Sequence, residues 1–180
     1  MNGAGISLVR HLPHTGEREG TRILRVNREA AGRAGRAVGE VPTGNGGRAV
    51  VNIASIPGVV PAARPAAYAA AEAGPIGFGA GPDQLTVNTL ATGIVRTPIL
   101  SEDASRIGVP AEEIFAGQVR PVAVGRPPTA AGIGALTGFL PGPGARGFSG
   151  ETAKVTGGRT TAPSDFSAAS AAAVRAGAAR

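Results

Sequence analysis

Two short apolar segments most strongly constrain the fold of this chain: RAVVNIAS at residues 48–55 and LTVNTLAT at residues 85–92. Both are nearly continuous runs that include β-branched residues, the pattern of strands covered on both faces of a sheet. Between them, the alanines of YAAAEAG at residues 68–74 favour a helix. A strand, a helix and a second strand in a unit of this size indicate a crossover connection and a parallel sheet. The sequence therefore predicts an α/β fold.

The same alternation of strands and helices extends along most of the chain. NGAGISL at residues 2–8 is predicted to be the end of a strand that runs into a loop. Further on, hydrophobic spacing predicts a helix at residues 21–41, short helices within residues 101–115, a helix at 129–140 and a last strand at 151–158. We expect four parallel strands in one domain, residues 1–160, followed by an alanine-rich, low-complexity tail at residues 161–180.

Composition makes the stability of this domain marginal. Glycine and proline occupy 44 of 180 positions (29 and 15), a fraction at which disorder competes with folding. Leu, Ile, Val and Phe together make up a little over a fifth of the chain, so the core must rely on alanine and valine. Alanine buries little area against a backbone entropy cost of about 1–2 kcal/mol per residue. A poorly folded fragment therefore stays open as an alternative.

Charge and cysteine content limit the partners and the compartment. The net charge is +6, but the arginines are scattered rather than clustered, so a nucleic-acid partner is not expected. The chain has no cysteine, no basic leader and no run of about 18 apolar residues, so we expect a cytoplasmic protein without membrane segments. His11 and His14 have no third ligand beside them, and we expect an exposed loop there rather than a metal site.

An unusual pair of residues lies on the predicted central helix. The only tyrosine, Tyr68, is followed four positions later by Glu72. Residues four apart share a helical face, so the carboxyl and the phenol are expected to be neighbours. A negative charge beside a phenol raises the phenol pKa, because it disfavours the phenolate.

Several motifs together resemble the short-chain dehydrogenase/reductase family, above all its 3-oxoacyl-carrier-protein reductase branch. NGAG at residues 2–5 is similar to the NNAG motif of that family, VN at 26–27 to its asparagine motif, and NIAS at 52–55 to its serine motif, with Tyr68 thirteen residues after Ser55. LTVNTLATGIVRTPI at 85–99 resembles the strand and loop that hold the nicotinamide, and residues 125–140 and 149–158 resemble the closing helix and strand. The resemblance covers about residues 2–159.

The resemblance implies a partial Rossmann-type parallel sheet, the second half of a doubly wound fold, with NAD or NADP as cofactor. The implied reaction is oxidoreduction of a small carbonyl compound or secondary alcohol, with Tyr68 as proton donor, Ser55 hydrogen-bonded to the same oxygen, and Asn27 fixing a water in a proton relay. The implied cofactor-binding residues are Asn2, Ala4, Gly5, Gly93, Ile94 and Thr97. A homo-oligomer or hetero-oligomer is the implied assembly.

Among the departures of the chain from the family pattern, two bear directly on cofactor binding. Where the family has the lysine that holds the nicotinamide ribose and lowers the phenol pKa, this chain has Glu72, and its only lysine, Lys154, lies on the predicted last strand. At about 5 Å and an effective dielectric near 20, a unit charge contributes about 3 kcal/mol, so the exchange of sign shifts the phenolate equilibrium by about 6 kcal/mol.

The second departure concerns the glycine-rich strand-turn-helix that binds the cofactor pyrophosphate. In the family this motif precedes the NNAG motif, whereas here the similar NGAG already stands at residues 2–5. GPGARG at 142–147 has the letters of that motif, but its prolines indicate a loop. We therefore expect a truncated family member that lacks the N-terminal βαβ units and is inactive as it stands. A non-catalytic partner subunit of complete family members is the alternative function.

Overall fold

The computed structural model of the chain describes residues 1–41, 47–60, 65–79, 81 and 84–159. Its centre is a parallel sheet of three strands in the order β1 (Arg48–Ser55), β2 (Leu85–Thr92) and β3 (Thr152–Val155). Strands β1 and β2 pair along their full length, and β3 pairs with the second half of β2. The predicted α/β class and the parallel sheet are confirmed.

The prediction of four strands was wrong for the described residues, which form three. The N-terminal segment makes only an isolated parallel bridge to β1, in which the Asn2 N–H donates to the Val51 carbonyl at 2.8 Å and the Ile53 N–H donates to the Asn2 carbonyl at 2.8 Å. Positions 3 and 5, which follow the bridge residue Asn2, are both glycine, and glycine is disfavoured in strands. The segment therefore touches the sheet once and then leaves it.

The predicted first helix is one helical run from residue 17 to residue 39, with a wider turn in its middle. It consists of α1 (Glu17–Ile23), a π-helical segment (Leu24–Glu29) and α2 (Ala30–Gly39). π-Helical turns are rare and are frequent at functional sites. This turn carries Asn27, whose side chain points into the protein and is only 3% exposed.

The helix after β1, α3 (Ala66–Gly77), is held in place at its middle and near its C-terminus. At the middle of the helix, the short 3-10 turn Ile56–Gly58 approaches so closely that a Cβ added at Gly58 would lie 2.7 Å from the backbone carbon of Glu72. Near its C-terminus, the Pro75 carbonyl accepts hydrogen bonds from Thr89 Oγ1 at 3.1 Å and Asn52 Nδ2 at 3.3 Å. Both donors are buried on the sheet, so α3 has a defined position relative to the strands.

The later elements agree with the sequence predictions in kind. The poorly patterned region holds α4 (Pro98–Ile107) and α5 (Ala111–Val119), and α6 (Ala130–Phe139) follows before β3. GPGARG forms a short 3-10 turn at Pro143–Ala145 rather than a strand-turn-helix. The predicted tail at 161–180 lies outside the described residues. Within the described part of the chain, no helix has the length and apolarity needed to cross a bilayer.

Small apolar clusters lie on the two faces of the sheet. Val51 and Leu90, each 1% exposed, pack with Leu140 and Ala145 on one face. Val50, Leu85 and Val87 form the cluster on the other face. Neighbouring strand residues point to opposite faces, so the apolar runs are buried on both sides, as their composition predicts.

Candidate active site

A cleft of about 360 Å³ lies at the carboxyl ends of β1 and β2. In open parallel sheets this edge is where ligands bind, because the connecting loops diverge there. Its walls come from the N-terminal segment, the end of β1, α3, the loop after β2 and α4. Much of the lining is aliphatic, from Ile6, Val9, Ile53, Ile94, Val95 and Ile99.

Two hydroxyl groups meet in this cleft. Ser55 is the last residue of β1, and its side chain is hydrogen-bonded to that of Tyr68 on α3. The serine motif and the tyrosine are thirteen residues apart in sequence, and the close approach of Gly58 to α3 brings them together. Both hydroxyls are hydrogen-bond donors, so together they are able to bind one carbonyl oxygen.

Glu72 also lines the cleft, one turn after Tyr68. It is only 5% exposed, and its Oε1 accepts a hydrogen bond from Asn27 Nδ2 at 2.6 Å. The backbone N–H of Ser55 donates to the same carboxyl group. Burial raises the pKa of Glu72 to about 7, although these two hydrogen bonds act in the opposite direction. At neutral pH the carboxyl group is therefore divided about equally between its two protonation states.

Tyr68 is a neutral donor in this environment. Burial is the largest cause that raises the pKa of the Tyr68 phenol, and Glu72 and then Asp103 add to it, while the hydrogen bond with Ser55 lowers it. The predicted direction agrees with this result. Glu72, with a pKa of about 7, is ionised wherever a phenol titrates, so its full charge acts on the Tyr68 pKa; the size of about 6 kcal/mol stays a prediction.

Asn27 joins the N-terminal segment to α3. Its Oδ1 accepts from the Ile6 N–H at 3.0 Å, and its Nδ2 donates to the Ile6 carbonyl at 2.9 Å as well as to Glu72. Its side-chain amide thus holds backbone and carboxyl groups in place. The role of Asn27 in fixing a water stays a prediction.

The residues predicted to bind the cofactor fall into two groups. Ala4, Gly5, Gly93, Ile94 and Thr97 all line the cleft. Asn2 does not line it: its side chain is buried and its Nδ2 donates to Asn52 Oδ1 at 3.4 Å. Five of the six predicted residues therefore line the same cleft as Tyr68, whereas Asn2 is buried beside Asn52 on β1.

Sequence reasoning missed two charged residues of the cleft, Asp103 on α4 and Arg159 after β3. Asp103 is 9% exposed, and burial raises the pKa of its carboxyl, while the Ser7 side chain donates to it and opposes that change. Its Oδ1 has no hydrogen bond, and Arg106 Nη1 lies 3.5 Å away. Arg159 donates to Gln118 Oε1. The only sequence signal was the spacing of Asp103 and Arg106 on a predicted helix.

Within the described ranges, no group of three or more histidines and carboxylates is arranged to hold a metal ion.

Comparison with known proteins assigns this chain to a family. Residues 1–107 match the family profile described as short chain dehydrogenase, and the chain belongs to that family. A curated relative, the short-chain reductase protein NovJ of Streptomyces niveus, is 34% identical over 169 residues, which cover 88% of this chain and 63% of NovJ. The chain thus spans 63% of the length of this relative.

Solved structures share the fold. An oxidoreductase of the short-chain dehydrogenase/reductase family from Burkholderia thailandensis superposes with a TM-score of 0.71 at 22% identity, covering 88% of this chain and 63% of that one. A variant of actinorhodin polyketide ketoreductase, determined with NADPH, superposes with a TM-score of 0.75 at 24% identity, covering 89% and 68%. At these identities the likeness defines the Rossmann-type fold alone.

The residues around Tyr68 do not fit a nicotinamide dinucleotide. The apolar wall and the small residues Gly5 and Gly93 leave room for a flat ring. The position where the family resemblance implies a ribose-binding lysine, however, holds the Glu72 carboxyl, which is engaged by Asn27 and the Ser55 N–H. When ionised, this carboxyl repels a phosphate-bearing ligand.

Proposed function

We propose that this chain binds a small carbonyl compound or secondary alcohol in the cleft of a short-chain dehydrogenase/reductase fold, and that it does not transfer hydride with NAD(P)H as it stands. One observation carries the proposal: the hydrogen-bonded pair of Ser55 and Tyr68 faces a cleft in which a buried carboxyl, Glu72, stands in place of a cation.

Ligand binding is supported by the chemistry of the cleft. Its volume of about 360 Å³ lies in the range of sites for small organic molecules, and apolar walls with a few convergent polar groups are typical of them. A carbonyl or alcohol oxygen is a suitable acceptor for these hydroxyls, because each is able to donate one hydrogen bond. The curated relative NovJ is a short-chain reductase by name, which supports a site of the same general kind in this chain.

The absence of hydride transfer is supported by the electrostatics of Tyr68. A catalytic acid works best when its pKa lies near the operating pH. Burial and Glu72 both raise the pKa of Tyr68, so they move it away from that value. Glu72 also places negative charge where a dinucleotide would require a cation.

The test is turnover of cyclohexanone with NADPH by the purified chain, followed through the NADPH absorbance. We expect no rate above the protein-free reaction, and turnover by the unaltered chain would contradict the proposal. Glu72→Lys is expected to raise the affinity for NADP(H) at least about tenfold, since about 1.4 kcal/mol suffices for that factor and a unit charge contributes about 3 kcal/mol. Glu113→Lys, an exposed position on α5, is the matched control and is expected to leave the affinity unchanged.

The alternative function, a partner subunit that joins complete family members, is favoured by α6. This helix has no buried residue, and Leu136 and Phe139 are 39% and 50% exposed. An uncovered apolar helix is a surface suited to association. Sedimentation of the chain alone and mixed with a full-length family reductase tests this: a mixed oligomer that Phe139→Asp abolishes would favour the alternative over the ligand-binding function.

A further inference from the structure

We propose that this cleft catalyses proton transfer at the carbon next to a ketone carbonyl, without a nicotinamide, with Glu72 as the general base and with Tyr68 and Ser55 as donors to the enolate oxygen. This inference rests on the proposed function, because it requires the same cleft to bind a small ketone. It differs from that function in assigning the cleft a reaction of its own.

The three groups converge through one residue. The Ser55 side chain is hydrogen-bonded to Tyr68, and the Ser55 backbone N–H donates to the Glu72 carboxyl. Tyr68 and Glu72 lie one turn apart on α3, and all three residues line the cleft. A ketone oxygen held by the two hydroxyls therefore presents its neighbouring carbon towards the side of the cleft that carries the carboxyl.

Glu72 has the properties of a base. An ionised carboxylate offers about four lone-pair positions, and Asn27 Nδ2 and the Ser55 N–H occupy two of them. Both partners are neutral donors rather than cations, so the carboxylate keeps its affinity for a proton. Burial raises the pKa of Glu72 to about 7, which makes both the accepting and the donating form available near neutral pH.

Tyr68 and Ser55 have the properties of an oxyanion site. Because burial raises the pKa of Tyr68, the phenol stays protonated and continues to donate when negative charge develops on the ketone oxygen. A carboxyl base beside neutral donors in a largely apolar cleft is a residue set suited to abstraction of a proton next to a carbonyl.

Other charged groups near Glu72 are less suited to the role of base. Asp103, across the cleft, has Arg106 Nη1 3.5 Å from its Oδ1 and accepts from Ser7. Among the described residues, the remaining charged group on the cleft wall is Arg159, which donates to Gln118. Arg28 lies on the π-helical turn that packs against α3, and its side chain contacts Gly74, two residues after Glu72. Arg28 does not line the cleft.

The step is balanced without a co-reactant. The bond between the α-carbon and its hydrogen breaks, the proton goes to the Glu72 carboxylate, and the electron pair forms the enolate, whose oxygen accepts from Tyr68 and Ser55. Return of a proton from Glu72 to the same or the next conjugated carbon regenerates the carboxylate. The volume and the aliphatic walls select a small, apolar, enolisable ketone.

The experiment uses cyclohexanone as the probe, in D₂O, with the purified full chain. Proton NMR follows the loss of the α-hydrogen signal, and Tyr68 fluorescence reports binding separately, since the chain has one tyrosine and no tryptophan. We expect exchange above the protein-free rate and a loss of at least about a hundredfold in Glu72→Gln. Tyr68→Phe is also expected to slow exchange, and Glu113→Gln is expected to match the unaltered chain.

The pH profile supplies a measurement that needs no variant. The protein-dependent rate is expected to rise with pH and to level off above a midpoint near the pKa of Glu72, about 7, because only the carboxylate accepts the proton. Ketone binding without exchange would overturn the enolisation inference and leave the proposed function intact, whereas the absence of binding would overturn both. Exchange that is flat in pH, or unaffected by Glu72→Gln, would also overturn the assignment of the base.

Discussion

The buried carboxyl of Glu72 makes the stability of this protein depend on pH in an unusual direction. Most carboxyl groups in folded proteins are stabilised in the charged form, so stability rises with pH in the acidic range. Burial instead raises the pKa of Glu72 from 4.5 to about 7 in the folded chain. The folded state then binds more protons than the unfolded state between these values, and stability falls as the pH rises through that window.

The size of the effect follows from the two pKa values. Each unit of difference corresponds to about 1.4 kcal/mol, so the change from 4.5 to about 7 corresponds to a loss of about 3 kcal/mol. The contribution of Glu72 is fully present below about pH 4.5 and is lost above about pH 7. For a chain of this size, about 3 kcal/mol corresponds to a fall in Tm of roughly 6–12 °C.

Thermal melts followed by circular dichroism, between about pH 5 and about pH 8, measure this dependence. Glu72→Gln carries no charge at any pH, so its Tm is expected to fall less than that of the unaltered chain over the same window. Burial also raises the pKa of Asp103, and this contribution has the same sign, but it is common to both proteins and cancels in the comparison. Glu113→Gln is expected to follow the unaltered chain. Equal pH slopes for the unaltered chain and Glu72→Gln would refute the claim that burial disfavours the Glu72 carboxylate.

The remaining predictions concern packing and are measured by urea denaturation. Gly58→Ala is expected to cost about 1–3 kcal/mol, because its Cβ would lie 2.7 Å from the backbone of Glu72 and neither backbone segment yields easily. Gly35→Ala, in the middle of α2 with open space around the added Cβ, is its matched control and is expected to stabilise the chain by about 0.5–1 kcal/mol. Leu90→Ala, at a 1% exposed position, is expected to cost about 2–5 kcal/mol. A Gly58→Ala variant as stable as the unaltered chain would show that α3 does not depend on this close approach.

Local sequence patterns were sufficient for strands β1 and β2 and for most helices, but not for the number of strands. Strands β1 and β2 begin and end where the two apolar runs do, because a run buried on both faces stops when polar or turn residues begin. The first helix was predicted at residues 21–41 and found at 17–39, but its π-helical segment was not foreseen. One extra residue in a turn barely alters the hydrophobic spacing, so periodicity does not reveal it.

Contacts between distant segments could not be read from the sequence. The hydrogen bond from Asn27 to Glu72 joins residues 45 positions apart, and it depends on the π-helical turn and on the placement of α3 together. The neutral fraction of Glu72 follows from its burial, which no local pattern states. Asp103 reaches the cleft because the chain returns to the sheet edge after β2, a consequence of the crossover topology rather than of its neighbours in sequence.

The anchoring of α3 has a consequence for how this scaffold diversifies. Gly58 packs closely against the backbone of α3 at Glu72, and the Pro75 carbonyl accepts hydrogen bonds from both β1 and β2. The helix therefore has little freedom to slide or rotate. The opposite wall is formed by the segment 93–97 and α4, and its Gly93 N–H donates to the Val155 carbonyl on β3 at 2.9 Å. We therefore expect ligand preference to vary through the exposed side chains of that wall, such as Ile99, while α3 keeps its position against the strands.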